Sequence, residues 1–129
     1  DLPKVPAWVR LLLRERHLIS RDLAGVDDGR RPLPGRAVLF SAGETSAAMV
    51  NEEDHLRLSG FAAGFDPGLA MRRVRELESL LESKLEFACS PELGFLTACP
   101  TNVGTGLRAS VMLHLPALGL VRSELEKVF

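Results

Sequence analysis

Residues 93–116 read LGFLTACPTNVGTGLRASVMLHLP, a run that predicts two strands joined by a glycine-rich loop. The apolar part ends near Cys99, and residues 100–106 are dense in turn formers. Residues 108–115 then alternate with a period of two, which is typical of a half-buried strand. The alternation predicts burial of one set of side chains, namely Ala109, Val111, Leu113 and Leu115.

The other side of that predicted strand carries Arg108, Ser110, Met112 and His114. A guanidinium beside a loop whose glycines leave backbone N–H groups free favours an anion, and phosphate is the commonest biological one. Residues 104–109 also fit the dinucleotide pattern G-x-G-x-x-A, but a strand follows them where that pattern requires a helix. A phosphate-binding Walker loop is excluded because Gly-Lys-Ser/Thr does not occur.

Composition predicts one ordinary globular domain, since 46% of the 129 residues are hydrophobic and 26% are charged. The net charge of −1 gives no general attraction to nucleic acid or to an anionic membrane. No apolar run approaches the roughly 20 residues that a membrane helix needs, and a cytoplasmic protein is expected. Cys89 and Cys99 do not form a C-x-x-C pair, and no metal site is predicted.

Periodicity along the chain predicts an α+β domain, with an antiparallel β-sheet flanked by helices that lie on one face. Residues 20–35 are predicted to be a polar loop, and residues 42–45 a hairpin turn. Asp66 and Pro67 are predicted to start a long helix. The predicted elements are a helix at 8–17, strands at 36–41 and 46–58, a helix at 66–88, strands at 93–98 and 108–115, and a helix at 117–128.

Residues 51–57 read NEEDHLR, a dense polar cluster within the second predicted strand. If that strand is uninterrupted, Glu53 and Arg57 share one face and look into the same space. The cluster is either a functional site or a solvated edge strand whose charges discourage aggregation. Cys99 likewise is either a thiolate activated by Arg108 or a buried structural cysteine.

Two long motifs in the same order carry a family resemblance: NEEDHLR at 51–57 and CPTNVGTGLRASV at 99–111. Together they resemble the ATP:guanidino phosphotransferases, which include the arginine and creatine kinases and the bacterial protein arginine kinases. Residues 17–20, HLIS, resemble the segment of that family that lies beside the adenine. Met49-Val50 and Met112 favour the protein arginine kinases, because phosphagen kinases usually have Trp-Val and His there.

The resemblance implies a kinase that transfers the γ-phosphoryl group of Mg²⁺·ATP to arginine side chains of proteins, with Mg²⁺ held through the nucleotide phosphates. It makes Glu53 the carboxylate that holds and helps deprotonate the guanidinium, and it places Cys99 beside that group. The implied ATP-binding residues are His17, Arg57, Arg108, Ala109, Ser110, Val111 and Met112. Paired arginines and Mg²⁺ suit this chemistry because the phosphoryl group in transfer spreads negative charge over its oxygens.

The family's other phosphate-binding arginines and its second catalytic glutamate are expected outside residues 1–129, so the chain is expected to be one incomplete catalytic domain. Two alternatives stay open: an inactive nucleotide-binding or interaction module, and a kinase for a small guanidino compound such as free arginine. A regulatory protein is a further candidate partner.

Overall fold

The computed structural model describes residues 1–26, 32–121, 123, 126 and 127. Its centre is a three-stranded antiparallel sheet in the order β1-β2-β3. The strands are β1 (Ala37–Phe40), β2 (Ser46–Val50) and β3 (Leu56–Gly60). The predicted hairpin is confirmed, since Val38 of β1 stands opposite Met49 of β2.

The predicted uninterrupted strand over residues 46–58 is wrong, because the chain reverses between β2 and β3. Asn51 adopts a left-handed φ of 54°, which asparagine tolerates better than most residues. Its backbone N–H donates to the carbonyl of His55 at 3.0 Å and closes the turn. Five consecutive polar residues supply no apolar face for a strand to bury, and the turn leaves Asn51, Glu53 and His55 exposed. Residues 51–55, which we call the acidic turn, therefore place Glu53 in the turn, whereas Arg57 lies in β3.

Two helices, α1 (Ala7–Glu15) and α2 (Arg21–Ala24), cover one face of the sheet. The predicted polar loop therefore contains a short helix, and its residues 27–31 lie outside the described ranges. The apolar cluster between these helices and β2 consists of Leu2, Leu13, Leu18, Ile19, Leu23, Ala24, Ala47 and Met49.

Arg10 is a charged residue within this apolar layer, with 6% of its surface exposed. Its Nε donates to the carbonyl of Ala24 at 2.8 Å, and its Nη1 donates to the carbonyl of Val5 at 2.6 Å. Because a buried cation needs acceptors, these two bonds fix the segment before α1 against the end of α2.

Helix α3 (Pro67–Glu82) packs on the other face of the sheet, so the prediction of helices on one face only is wrong. Gly60 faces this helix, and a Cβ there would stand 2.3 Å from the carbonyl oxygen of Ala70. Side chains alternate along a strand, so Ala47 and Met49 of β2 point to the opposite layer.

The start of α3 is confirmed, but its end is earlier than predicted. The side chain of Asp66 accepts a hydrogen bond from the N–H of Leu69 at 2.8 Å and caps the helix. The helix stops at Glu82, where the hydroxyl of Ser83 donates to the carbonyl of Leu80 at 2.7 Å. Such side-chain bonds compete with the helical pattern, and residues 83–88 leave it.

The C-terminal part of the described chain contains little regular structure. Strands β4 (Cys89–Ser90) and β5 (Gly94–Phe95) pair antiparallel, so the strand predicted over 93–98 is confirmed for only two residues. No strand forms at residues 108–115, and Ala109, Val111, Leu113 and Leu115 are exposed, contrary to the prediction that they are buried. An alternating segment becomes a strand only where a neighbouring edge receives its hydrogen bonds.

Helix α4 (Pro116–Gly119) follows at the start of the predicted last helix. Residues 122, 124, 125, 128 and 129 of that predicted helix lie outside the described ranges. Among the helices of the described ranges, none is long and apolar enough to span a membrane.

The close approach of β3 to α3 predicts a large cost for a side chain at Gly60. Gly60→Ala should lower the free energy of unfolding by about 1–3 kcal/mol because the sheet and helix must separate. Gly43→Ala is the matched control, since a Cβ there would meet its nearest atom at 3.8 Å. Urea denaturation of both variants measures the difference, and equal midpoints would contradict the packing described.

Candidate active site

Hydrogen bonds of its first residue, Asn51, hold the acidic turn in place. Asn51 donates its side-chain N–H to the carbonyl of Gly35 at 2.9 Å, which ties the turn to the segment before β1. The turn then presents three carboxylates in succession, on Glu52, Glu53 and Asp54. The three carboxylates differ in exposure and in the groups that they contact.

Glu52 points inward, with 6% of its side chain exposed. Its Oε2 accepts the backbone N–H of Glu53 at 3.1 Å and the Nη1 of Arg57 at 3.3 Å. Burial by itself would raise the pKa of this carboxyl, but hydrogen bonds from Ser20 and Glu53 and the charge of Arg57 outweigh it and lower the pKa below its usual value. Glu52 is therefore ionised at neutral pH and holds the guanidinium of Arg57.

Ser20 connects the acidic turn to the helical layer. Its hydroxyl oxygen accepts the N–H of Leu23 at 3.1 Å and caps α2, and Ser20 is among the groups that lower the pKa of Glu52. Its own N–H points to the sulfur of Met49 at 3.3 Å, at the end of β2. The junction between α1 and α2 is thus fixed against the same end of the sheet as the turn.

His17 lies three residues before Ser20, at the end of α1. It has a left-handed φ of 59°, while its N–H donates to the carbonyl of Arg14 and the N–H of Leu18 donates to the carbonyl of Leu13. This is a Schellman motif, which ends the helix and leaves the His17 side chain exposed while Leu18 is buried.

Asp54 joins the acidic turn to the loop that contains Cys99. Its Oδ1 accepts the backbone N–H of Ala98 at 2.6 Å. The hydroxyl of Thr97 donates to the carbonyl of Cys99 at 2.7 Å, and the Cys99 sulfur lies 3.0 Å from the hydroxyl oxygen of Thr101. The thiol is half-buried, and the short helical turn Pro100–Asn102 follows it. The fold therefore brings together the two segments that carry Glu53 and Cys99.

Five further predicted ATP-binding residues lie on a segment that is not bonded to the acidic turn. Arg108, Ala109, Ser110, Val111 and Met112 are all exposed on an extended segment. Among the described residues, no hydrogen bond or ion pair joins any of these five to the acidic turn.

The guanidinium of Arg57 suits an anionic group such as a nucleotide phosphate. Its side chain is 44% exposed, and Glu52 engages it through one of its two terminal nitrogens. A guanidinium has five N–H donors in a planar fork, so several remain for phosphate oxygens. Within the described ranges, no group of three His, Cys, Asp or Glu side chains is arranged to hold a metal ion.

The sequence interpretation singled out Glu53 but missed Glu52 and Asp54 as the residues that organise the site. A strand pattern placed Glu52 and Asp54 on one face with no role. The available signal was the unbroken acidic triplet, since three adjacent carboxylates at a tight turn need donors from other segments.

Comparison with known proteins identifies the family of this chain. A sequence model described as the ATP:guanido phosphotransferase C-terminal catalytic domain matches residues 4–129. The chain belongs to this family, as the motifs predicted.

Its curated relatives include bacterial kinases. A protein-arginine kinase of Halothermothrix orenii is 50% identical over 123 residues, which are 95% of this chain and 33% of that protein. A protein-arginine kinase of Symbiobacterium thermophilum is 48% identical over 113 residues, which are 88% of this chain and 30% of that protein. The chain thus spans about a third of the length of these curated relatives.

A solved structure confirms the fold prediction. The duplicated taurocyamine kinase of Schistosoma mansoni, with bound transition state analogue components, matches 98% of this chain and 18% of its own chain. The TM-score is 0.77 and the sequence identity is 30%. The antiparallel sheet flanked by helices is therefore part of a guanidino kinase catalytic domain.

The bond between Asp54 and Ala98 predicts the reactivity of the Cys99 thiol. Asp54→Ala removes the acceptor, so the loop should open more often and alkylation of Cys99 should quicken about three- to tenfold. Asp54→Asn keeps an oxygen acceptor of the same reach and should stay near the wild-type rate. Mass spectrometry of iodoacetamide adducts measures this, with the exposed Cys89 as internal control. Equal Cys99 rates in all three proteins would refute the link.

Proposed function

We propose that these residues form one part of an active site that transfers the γ-phosphoryl group of ATP to arginine side chains of proteins. The observation that supports it most is the acidic turn, in which an exposed carboxylate, Glu53, stands between two tethered groups. Glu52 holds the phosphate-binding candidate Arg57 on one side, and Asp54 holds the Cys99 loop on the other.

The guanidinium acceptor would bind at Glu53. A protonated guanidinium is a poor nucleophile, so a carboxylate must orient it and take its proton. Glu53 is exposed and its backbone is fixed by Glu52, which leaves its own carboxylate available to a substrate. Cys99 would lie beside the same guanidinium, because Asp54 is the neighbour of Glu53 and holds the residue before Cys99.

The nucleotide phosphates would bind on the Arg57 side of the turn. Arg57 and Arg108 would neutralise the charge that develops on the transferring phosphoryl group. Ala109, Ser110, Val111 and Met112 would lie along the nucleotide, with His17 near its base. Mg²⁺, carried by the phosphates, would supply additional positive charge at the γ-phosphoryl oxygens.

Protein arginine is the favoured acceptor because the relatives that share 50% and 48% identity are named protein-arginine kinases. The same relatives favour a bacterial protein, and a cytoplasmic location remains our proposal. A taurocyamine kinase also shares the fold, at 30% identity, so a small guanidino acceptor is the alternative to test.

A second candidate is a nucleotide-binding module without activity. Residues 108–112 favour it, since they are exposed and form no regular secondary structure in this chain. An arginine clamp with one side displaced would bind ATP weakly, and removing each charge-stabilising contact costs roughly 2–4 kcal/mol in the transition state.

Phosphoarginine formation distinguishes these functions. The full-length product of the gene that encodes this chain is incubated with Mg²⁺·ATP and an unfolded protein rich in arginine, and phosphoarginine is measured by mass spectrometry. We expect modification of the protein, with kcat reduced at least about 100-fold in Glu53→Gln because the base is lost. Glu86→Gln, at an exposed glutamate beyond α3, is the matched control and should retain wild-type activity.

Other outcomes decide against the proposal. Modification of free arginine alone would assign a small-molecule kinase. Binding of Mg²⁺·ATP without any transfer would assign the inactive module. Full activity in Glu53→Gln would remove Glu53 from the reaction.

A further inference from the structure

We propose that Glu52 is a positioning residue, which aims Arg57 at the nucleotide and fixes the backbone of Glu53 through the same carboxylate oxygen. This inference rests on the proposed function, since it assigns Glu52 a role in that same site. It adds a residue that contacts neither ATP nor the arginine acceptor and acts through two residues that do.

The proposal rests on two hydrogen bonds that one oxygen atom of Glu52 accepts. Oε2 of Glu52 lies 3.3 Å from Nη1 of Arg57 and 3.1 Å from the backbone nitrogen of Glu53. An acceptor shared by two donors fixes their separation. The phosphate-binding group and the residue that carries the base are therefore held at a set distance by one side chain.

Exposure separates the role of Glu52 from that of its neighbours. Its side chain is 6% exposed, so it is closed to a substrate, whereas the Arg57 side chain is 44% exposed and Glu53 is open to solvent. The charge of Glu52 is directed at Arg57, and the long arginine side chain would otherwise sample many rotamers. Binding is tighter when such a group is already ordered before the ligand arrives.

The charge of Glu52 is directed at Arg57, the group proposed to bind the phosphates. The effect of removing that charge should consequently appear in the interaction with ATP.

Steady-state kinetics of the full-length gene product test this role. Glu52→Gln keeps the size and the acceptor oxygen but removes the charge, so we expect KM for ATP to rise about tenfold. KM for the protein acceptor should change less than about twofold, because the amide oxygen of the new glutamine can still accept the Glu53 N–H. Glu52→Asp keeps the charge on a shorter side chain and should recover part of the ATP affinity.

A double-mutant cycle distinguishes positioning from a general structural role. If Glu52 acts through Arg57, adding Glu52→Gln to Arg57→Ala should raise KM for ATP by less than twofold beyond Arg57→Ala alone. Glu86→Gln is the matched control for loss of a glutamate charge. Should Glu52→Gln fail to fold, as circular dichroism would show, the same cycle is run with Glu52→Asp.

The outcomes separate this inference from the proposed function. If Arg57→Ala and Glu53→Gln both leave activity unchanged, the proposed site itself is wrong. If those two variants lose activity while the Glu52 variant binds ATP like wild type, Glu52 is not a positioning residue. Independent, multiplicative effects of the Glu52 and Arg57 changes would overturn it as well.

Discussion

A carboxylate that is nearly closed to water must find hydrogen-bond donors, and the position of the candidate site depends on how Glu52 satisfies this requirement. Its Oε2 accepts from the backbone of Glu53 in the turn and from Arg57 in β3. These bonds, together with Ser20, outweigh the effect of burial and lower the pKa, so the charge persists at neutral pH. The ionised side chain then holds the turn and β3 together.

The layers of the fold give this arrangement a rigid base. On one face of the sheet, the apolar cluster around Leu18 and Met49 supports the junction that presents Ser20. On the other face, α3 packs against β3 so closely that position 60 admits only glycine without displacement. The acidic turn projects from the end of this sandwich, and Asp54 then fastens the Cys99 loop to it.

Local patterns predicted the parts of the fold that local forces decide. The cap at Asp66, the hairpin between β1 and β2, and the helical period of α3 need few distant partners, and all three are present. Alternation predicts a strand across the acidic turn, because it does not reveal where a chain reverses. Residues 108–115 have the period of a strand, but a strand also needs a neighbouring edge, which periodicity does not supply.

The family motifs predicted which residues form the candidate site, but only part of their arrangement in space. Family motifs named Glu53, Arg57 and Cys99, and the structure brings their segments together. The face assignment that grouped Glu53 with Arg57 relied on a continuous strand and was wrong. Glu52 connects them instead, since its Oε2 accepts both the backbone N–H of Glu53 and the Nη1 of Arg57. Arg108 remains a prediction, since its segment is exposed and no hydrogen bond between described residues joins it to the turn.

A crystal structure of the full-length gene product with Mg²⁺·ADP, nitrate and an arginine-containing peptide tests the central claim most directly, because nitrate mimics the planar phosphoryl group in transfer. We expect the peptide guanidinium against the Glu53 carboxylate with Cys99 beside it, Arg57 and Arg108 on the nitrate or the ADP phosphates, and Glu52 still bonded to Arg57. Nucleotide bound elsewhere, or Arg57 turned from the phosphates while Glu53 faces solvent, would contradict it.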